Sequence, residues 1–309
     1  MALTSEGMLY FIYQINPQIL TIILLKRNPR KRHERHSGDV HLQNRQGYWS
    51  FHMHYSSIVS DVAAWLESNK YRNLKIGEIV DKSGYSRTHL QRFFKEKTAM
   101  SIGTYSRLRR LSAAAIALRI TPNQVSELAR AFGFDSAATF ASAFKKQFGV
   151  PPASFRAQDI WPFEHMIPRY DYLSAIHKLE CRVVKEVQGA PFMRTLNFDE
   201  ITPNIREGIS HNVLIGRSTF YDEFKDNNKV ALAYSLCGKE PETENRRTWV
   251  SVKISKPITE LPELHNLLYA GLLPSLGVVR PRAPDMMKIT MQESKVIITE
   301  YLIPCIEWM

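Results

Sequence analysis

The sequence predicts a two-part molecule, an all-α region made of two helix-turn-helix repeats followed by an α+β domain. A helical apolar period broken by a glycine turn occurs twice between residues 54 and 159. Runs of β-branched or alternating composition recur after residue 177. The charge divides in the same place: residues 54–160 carry 16 basic and 8 acidic side chains, whereas residues 161–309 carry 18 and 19. That asymmetry points to a polyanion-binding part joined to a part with another task.

The chain has 309 residues, a net charge of +11, 44% hydrophobic and 23% charged residues, which excludes wholesale disorder and leaves room for two cores. Three cysteines, Cys181, Cys237 and Cys305, are too sparse for a disulfide scaffold or a zinc finger and suit a reducing compartment. Met8 to Leu25 is apolar but interrupted by Gln14, Asn16, Pro17 and Gln18, and is a poor membrane span. Residues 1–53 therefore read as an accessory or mis-started extension, with Met53 as a candidate true start.

A helical pattern begins near Tyr55, with Ile58, Val62, Trp65 and Leu66 on one face, and is expected to end near Asn69. In LKIGEIVDKSGYSRTHLQRFFKE, Ile76, Ile79 and Val80 mark a helix, Ser83-Gly84 a turn, and Leu90, Phe93 and Phe94 the buried side of the next helix. Ser86 is its expected N-cap. The opposite side exposes Arg87, Thr88, Gln91, Arg92 and Lys95. Major-groove reading needs forked or long donors toward base edges and cations toward phosphates. Gln91 suits adenine, Arg92 guanine or phosphate, Thr88 a thymine methyl, and Lys95 phosphate.

YSRLRRLSAAAIALR predicts one long connecting helix, with Arg107, Arg109 and Arg110 facing either DNA or solvent. In the second repeat, TPNQVSELARAFGFDSAATFASAFKKQFGVPPASFR, Thr121 is the expected cap with Pro122 at the first helical position, and Phe132-Gly133-Phe134 forms the turn. Asp135 or Ser136 opens the next helix, whose Phe140, Phe144 and Phe148 read as core. Its outward residues, Ala137, Ala138, Ala141 and Ser142, offer little to distinguish base pairs, so Lys145 and Lys146 are expected on the phosphate backbone. A rigid spacer would set the two recognition helices in successive major grooves, about 34 Å apart.

SGYSRTHLQRFFK at 83–95, ARAFGFDSAATFASAFKKQFG at 129–149 and PPASFR at 151–156, with their spacing, resemble the DNA-binding domain of the AraC/XylS transcription regulators, and within it the MarA, SoxS and Rob group. The resemblance implies a sequence-specific transcription activator that meets RNA polymerase at promoters, binds double-stranded DNA as a monomer, and works in the cytoplasm associated with the nucleoid. It assigns base contacts to Thr88, Gln91 and Arg92, beside which the exposed cations Arg87, Lys95, Lys145 and Lys146 are expected on the backbone. Thr88 stands where the relatives carry tryptophan, so the base preference should differ. Ala137, Ala138 and Ser142 replace glutamines and an arginine, which implies backbone docking by the second helix. An effector-independent architectural DNA-binder of weak selectivity is the alternative function.

WPFEHMIPRY shows neither a regular strand nor a long helix, so 160–176 reads as a linker and 177–309 as an α+β, effector-binding domain. Expected strands are Cys181–Val187, Val230–Cys237, Thr248–Ile254, Met287–Met291 and Val296–Ile303. KVIITEYLIPC at 295–305 resembles the last strand of the GyrI-like domain, which implies a cleft for an amphipathic or cationic small molecule and a link to stress or multidrug-resistance genes. For a cation, Glu300 would supply charge and Trp249, Tyr269, Tyr301 or Trp308 an aromatic wall. Gly271 to Asp285 departs from that pattern, being short and holding Pro274, Pro281 and Pro284. No metalloprotease, nucleophile-elbow, phosphate-loop or zinc-deaminase motif organises His165, His177, His211 or His265, so neither an enzyme, a cofactor nor a metal is expected.

Overall fold

The structure, a computed structural model, describes residues 46–187, 195–196, 213–217, 233–237, 246–283, 285–293 and 295–306. The expectations for the N-terminal apolar and basic runs, His211 and Trp308 lie outside the described residues. The chain divides into two compact units, one reaching Arg110 and adding Arg169–His177, the other formed by Leu111–Pro168 with residues from Lys178 onward.

In the first unit, α1 (Gln46–Ser68), α2 (Ile76–Ser83), α3 (Arg87–Thr98) and the first half of α4 (Ile102–Ile120) pack around Val59, Leu66, Ile79, Leu90, Phe94 and Ile102. α1 begins earlier than the apolar period suggests. Each such side chain contributes roughly 1.5–3 kcal/mol through the surface it removes from water. Phe94 meets Tyr105 edge to face at 5.2 Å, and the Tyr105 hydroxyl accepts a hydrogen bond from the Tyr170 backbone N–H at 2.9 Å. Burial pushes that phenol well above its ordinary pKa. Glu67 and Arg109 form a two-point ion pair, 3.1 Å from Nε to Oε2 and 2.9 Å from Nη2 to Oε1, with both side chains buried.

In the second unit, the rest of α4 packs against α5 (Val125–Ala131), α6 (Ala137–Phe148) and α7 (Pro152–Ala157) through Leu118, Leu128, Phe132, Phe140, Phe144 and Phe155. Thr121 does not cap α5. Its hydroxyl instead donates to the Ala117 carbonyl at 2.8 Å, prolonging the α4 pattern, and the N-cap of α5 is Gln124, whose N–H is received by Glu127 at 2.8 Å. Residues expected to form an irregular linker contain β1 (Ile160–Pro162), antiparallel to β7 (Val279–Pro281), and bury Trp161, Phe163, Met166 and Ile167. A three-residue strand is too short to show a period.

Among the described residues, the α+β part of this unit is a seven-stranded antiparallel sheet in the order β2-β6-β9-β8-β4-β5-β3, with the ranges that follow. Its strands are β2 (Glu180–Val187), β3 (Thr195–Leu196), β4 (Val213–Arg217), β5 (Ala233–Cys237), β6 (Arg246–Pro257), β8 (Asp285–Gln292) and β9 (Lys295–Cys305). Of the expected strands, Cys181–Val187, Thr248–Ile254, Met287–Met291 and Val296–Ile303 lie within β2, β6, β8 and β9, and the part of Val230–Cys237 that falls in the described residues is β5. Among the described residues there are also the short helices α8 (Leu173–Ile176) in the first unit and α9 (Leu261–Leu267) and α10 (Leu273–Leu276) here. A π-turn at Leu268–Leu272 joins α9 to α10, directly before Pro274, which has no N–H to give and crowds the preceding turn. Gly277, at φ 59°, ends the helix.

Candidate nucleic-acid interface

α3 is built to hold a polar face steady. Gly84 takes φ 70°, a left-handed turn that glycine enters without a side-chain clash, and its N–H closes α2 on the Val80 carbonyl. The Ser86 side chain then accepts the His89 N–H as N-cap, the expected role. Leu90, Phe93 and Phe94 are buried, and the Thr98 hydroxyl donates to the Phe94 carbonyl at 2.7 Å. With that side anchored, Arg87, Thr88, Arg92 and Lys95 are exposed and Gln91 is half-buried. Residues 88, 91, 92 and 95 recur at three- and four-residue steps, so they share one face. The Arg92 guanidinium lies 5.2 Å from the Phe93 ring centroid. His89 is exposed on the same helix.

α6 repeats the design with a different surface. Ser136, one of the two residues expected to open it, accepts the Thr139 N–H at 3.0 Å, and Gly149 at φ 77° closes the far end. Phe140, Phe144 and Phe148 form the expected core stripe, with successive rings 5.5 and 4.4 Å apart. Ala137, Ala138, Ser142, Lys145 and Lys146 are exposed and Ala141 is half-buried. This helix offers a smooth surface with cations at one end.

The central arginines part company. Arg107 is exposed, Arg109 is sealed against Glu67, and Arg110 is buried with a 3.3 Å bond to Asn73. Two of the three arginines left open by the helical period are therefore structural.

The residues expected to wall an effector cleft do not share one face of the sheet. Trp249 is buried with Met286 and Leu302, and its strand register places it on the same face as Glu300. Tyr269 lies against the opposite face, where its hydroxyl and that of Tyr301 donate to Asp285 at 2.6 and 2.7 Å. The grouping is corrected by this parity: Tyr269 and Tyr301 are separated from Glu300 by the sheet itself. Glu300 is also already occupied, since the Ser251 hydroxyl and Lys288, at 2.9 Å, bond its carboxylate and Arg182 lies 3.5 Å away. Burial alone would raise this carboxyl, but those donors hold it below the usual carboxylate range.

Among the described residues, no group of three or more His, Cys, Asp or Glu side chains is placed to hold a metal ion, and no helix is long and apolar enough to cross a membrane. His265 is a buried neutral imidazole bonded to the Tyr301 hydroxyl at 2.6 Å.

A family model described as a helix-turn-helix domain matches residues 79–158. Over 109 residues the chain is 43% identical to "Transcriptional regulator Rob" of Salmonella typhimurium, an alignment covering 35% of this chain and 38% of Rob. The match thus spans well under half the length of that relative. Over 111 residues it is 42% identical to "Probable transcription factor PqrA" of Proteus vulgaris, covering 35% of this chain and 91% of PqrA. Among solved structures, a transcriptional regulator from Chromobacterium violaceum with an AraC-type DNA-binding domain aligns at 27% identity with a TM-score of 0.32, covering 33% of this chain and 91% of that one.

Proposed function

The chain belongs to the AraC/XylS family of helix-turn-helix transcription regulators, which are not enzymes, and on that premise we propose that it is a sequence-specific DNA-binding transcription activator. The observation that carries this reading is α3: a capped helix anchored by Leu90, Phe93 and Phe94 that leaves Thr88, Arg92 and Lys95 exposed beside half-buried Gln91. Thr88, Gln91 and Arg92 read bases, while Arg87, Lys95, Lys145 and Lys146 contact phosphates and set the register. RNA polymerase is the protein partner, and a monomer occupies two grooves in the cytoplasm, associated with the nucleoid.

The α+β region is read as GyrI-like, supported by its antiparallel sheet and by the 295–305 pattern, with a small amphipathic effector and control of stress or drug-resistance genes. The saturation of Glu300 argues against a design in which that carboxylate alone receives a cation.

A second reading, an architectural binder of weak selectivity, draws on the exposed alanines of α6. Selecting bound duplexes from a random library separates the two. The regulator should enrich a defined motif under α3, with footprints covering two grooves. Equal affinity for every duplex of one length would leave only the architectural function.

A further inference from the structure

Within the second unit, two arginines cap the helices on which α6 stands. Arg119 places Nη1 within hydrogen-bonding distance of the carbonyl oxygens of Phe155 (2.9 Å), Arg156 (3.1 Å) and Gln158 (2.6 Å), at the end of α7 where helical acceptors are left over. Arg156 returns the cap, donating from Nε to the Leu118 carbonyl at 2.9 Å and from Nη2 to the Asn123 carbonyl at 2.5 Å. α6 rests on this joint, because Phe144 and Phe148 pack on Phe155 with centroids 5.3 and 5.4 Å apart.

The α+β sheet is built into the same joint. Trp161 on β1 stands opposite Arg280 on β7, and the guanidinium carbons of Arg119 and Arg280 lie 5.7 and 5.9 Å from the Trp161 ring centroid. Phe163 and Tyr269 pack beside that ring at 4.8 and 5.5 Å. Arg280 Nη2 donates to Asp285 at 2.7 Å, and Asp285 receives the Tyr269 and Tyr301 hydroxyls. Main-chain bonds reinforce the seam, from Arg282 N–H to the Asp159 carbonyl and from Phe163 N–H to the Val278 carbonyl, each 2.9 Å. Contacts therefore run from β9 through buried Asp285, Arg280 and Trp161 and half-buried Arg119 to the floor of α6. Burial, Arg282 and Arg280 push the Arg119 pKa down to about 10, so like charges oppose the contact and the ring and carbonyls offset them.

We propose that the α+β region acts on DNA through the second helix-turn-helix half, with Arg119, Trp161 and Arg280 as the positioning residues of the joint. A change in the sheet reaches α6 through β7 and Trp161. Every residue of this joint belongs to the second unit, so its loss is expected to be read at α6. The inference rests on α3 and α6 both facing DNA.

The test uses the full chain carrying Trp161→Ala or Arg119→Lys, with helix content checked by circular dichroism. Each is bound to a library-selected duplex and to the same duplex truncated to the groove under α3. Arg119→Lys keeps the charge but loses the planar group that stacks on Trp161. Both variants should lose about ten-fold affinity on the long duplex, stay within about two-fold of the parent on the short one, and show footprints shrunk to one groove. Equal losses on both duplexes, or a folded variant binding the long duplex like the parent, overturn the joint. Should Trp161→Ala not fold, Arg119→Lys decides by the same criteria. An unmodified chain whose affinity does not fall on truncation refutes the two-groove reading instead.

Discussion

Replacing Glu67 by glutamine measures how firmly the scaffold beneath α3 is held. Its carboxylate is buried against Arg109 at 2.9 and 3.1 Å, with Lys70 at 3.6 Å. Burial alone would raise its pKa, but Arg109 and Lys70 more than offset this and hold it at about 2, against an ordinary 4.5. At about 1.36 kcal/mol per unit, that depression corresponds to about 3 kcal/mol of stability at neutral pH. Breaking a buried pair of this kind costs roughly 3–5 kcal/mol, the same interaction seen from the Arg109 side and of the same order. The contribution of a depressed carboxylate is fully present above 4.5 and disappears as pH falls toward 2. The gap between parent and variant should therefore be large at pH 7 and narrow by about 2 kcal/mol at pH 3. Hydrogen exchange of α3 amides, corrected for intrinsic rates, reports the opening energy of this unit. A gap under about 1 kcal/mol at pH 7, or one that does not change down to pH 3, would refute the electrostatic account.

Three further outcomes follow from the geometry. Arg92→Ala and Gln91→Ala should each lose about 1–3 kcal/mol at the selected site and little on random DNA, whereas Lys145→Ala should weaken both and reduce the salt slope by about 1 in competition titrations. His265, lowered to about 4 by burial against the pull of Asp285, is neutral in the native state, so an unfolded chain takes up more protons between about 6.5 and 4. The second unit should lose about 3 kcal/mol across that window as pH falls, and His265→Asn should remove the slope in urea titrations at pH 7 and 4.5. Gly84→Ala meets open space but a left-handed backbone, and should cost about 1–2 kcal/mol in thermal melts; Ala99, at φ 56° on the C-cap of α3, should show the opposite sign when changed to glycine.

What was legible in the chain was local. Ser86, Gly84, Ser136 and the Phe140, Phe144 and Phe148 stripe announce caps, turns and a buried side within a few residues, so both helix-turn-helix repeats and the exposed face of α3 could be read before any tertiary contact was known. The five strands were legible for the same reason, as runs of the right composition. Two kinds of information were not there to read. Whether an arginine on an amphipathic helix meets solvent or a partner is decided across the fold: Arg109 finds Glu67 42 residues away, and Arg119 finds carbonyls 36 to 39 residues away, while Arg107, with the same local pattern, is exposed. Which face a strand residue takes is decided by register, which is why Glu300 and Tyr269 could be grouped by residue type although a sheet lies between them. The gaps at Arg119 and Glu300 concern the α+β region and its attachment, the gap at Arg109 concerns the interior of the first unit, and none touches the exposed surface of α3. The DNA-reading proposal therefore depends on short-range features that the fold preserves, and the regulatory proposal depends on long-range contacts that only the fold supplies. On that proposal, a substitution at Trp161 or Arg119 disables regulation while leaving every recognisable motif of the chain intact.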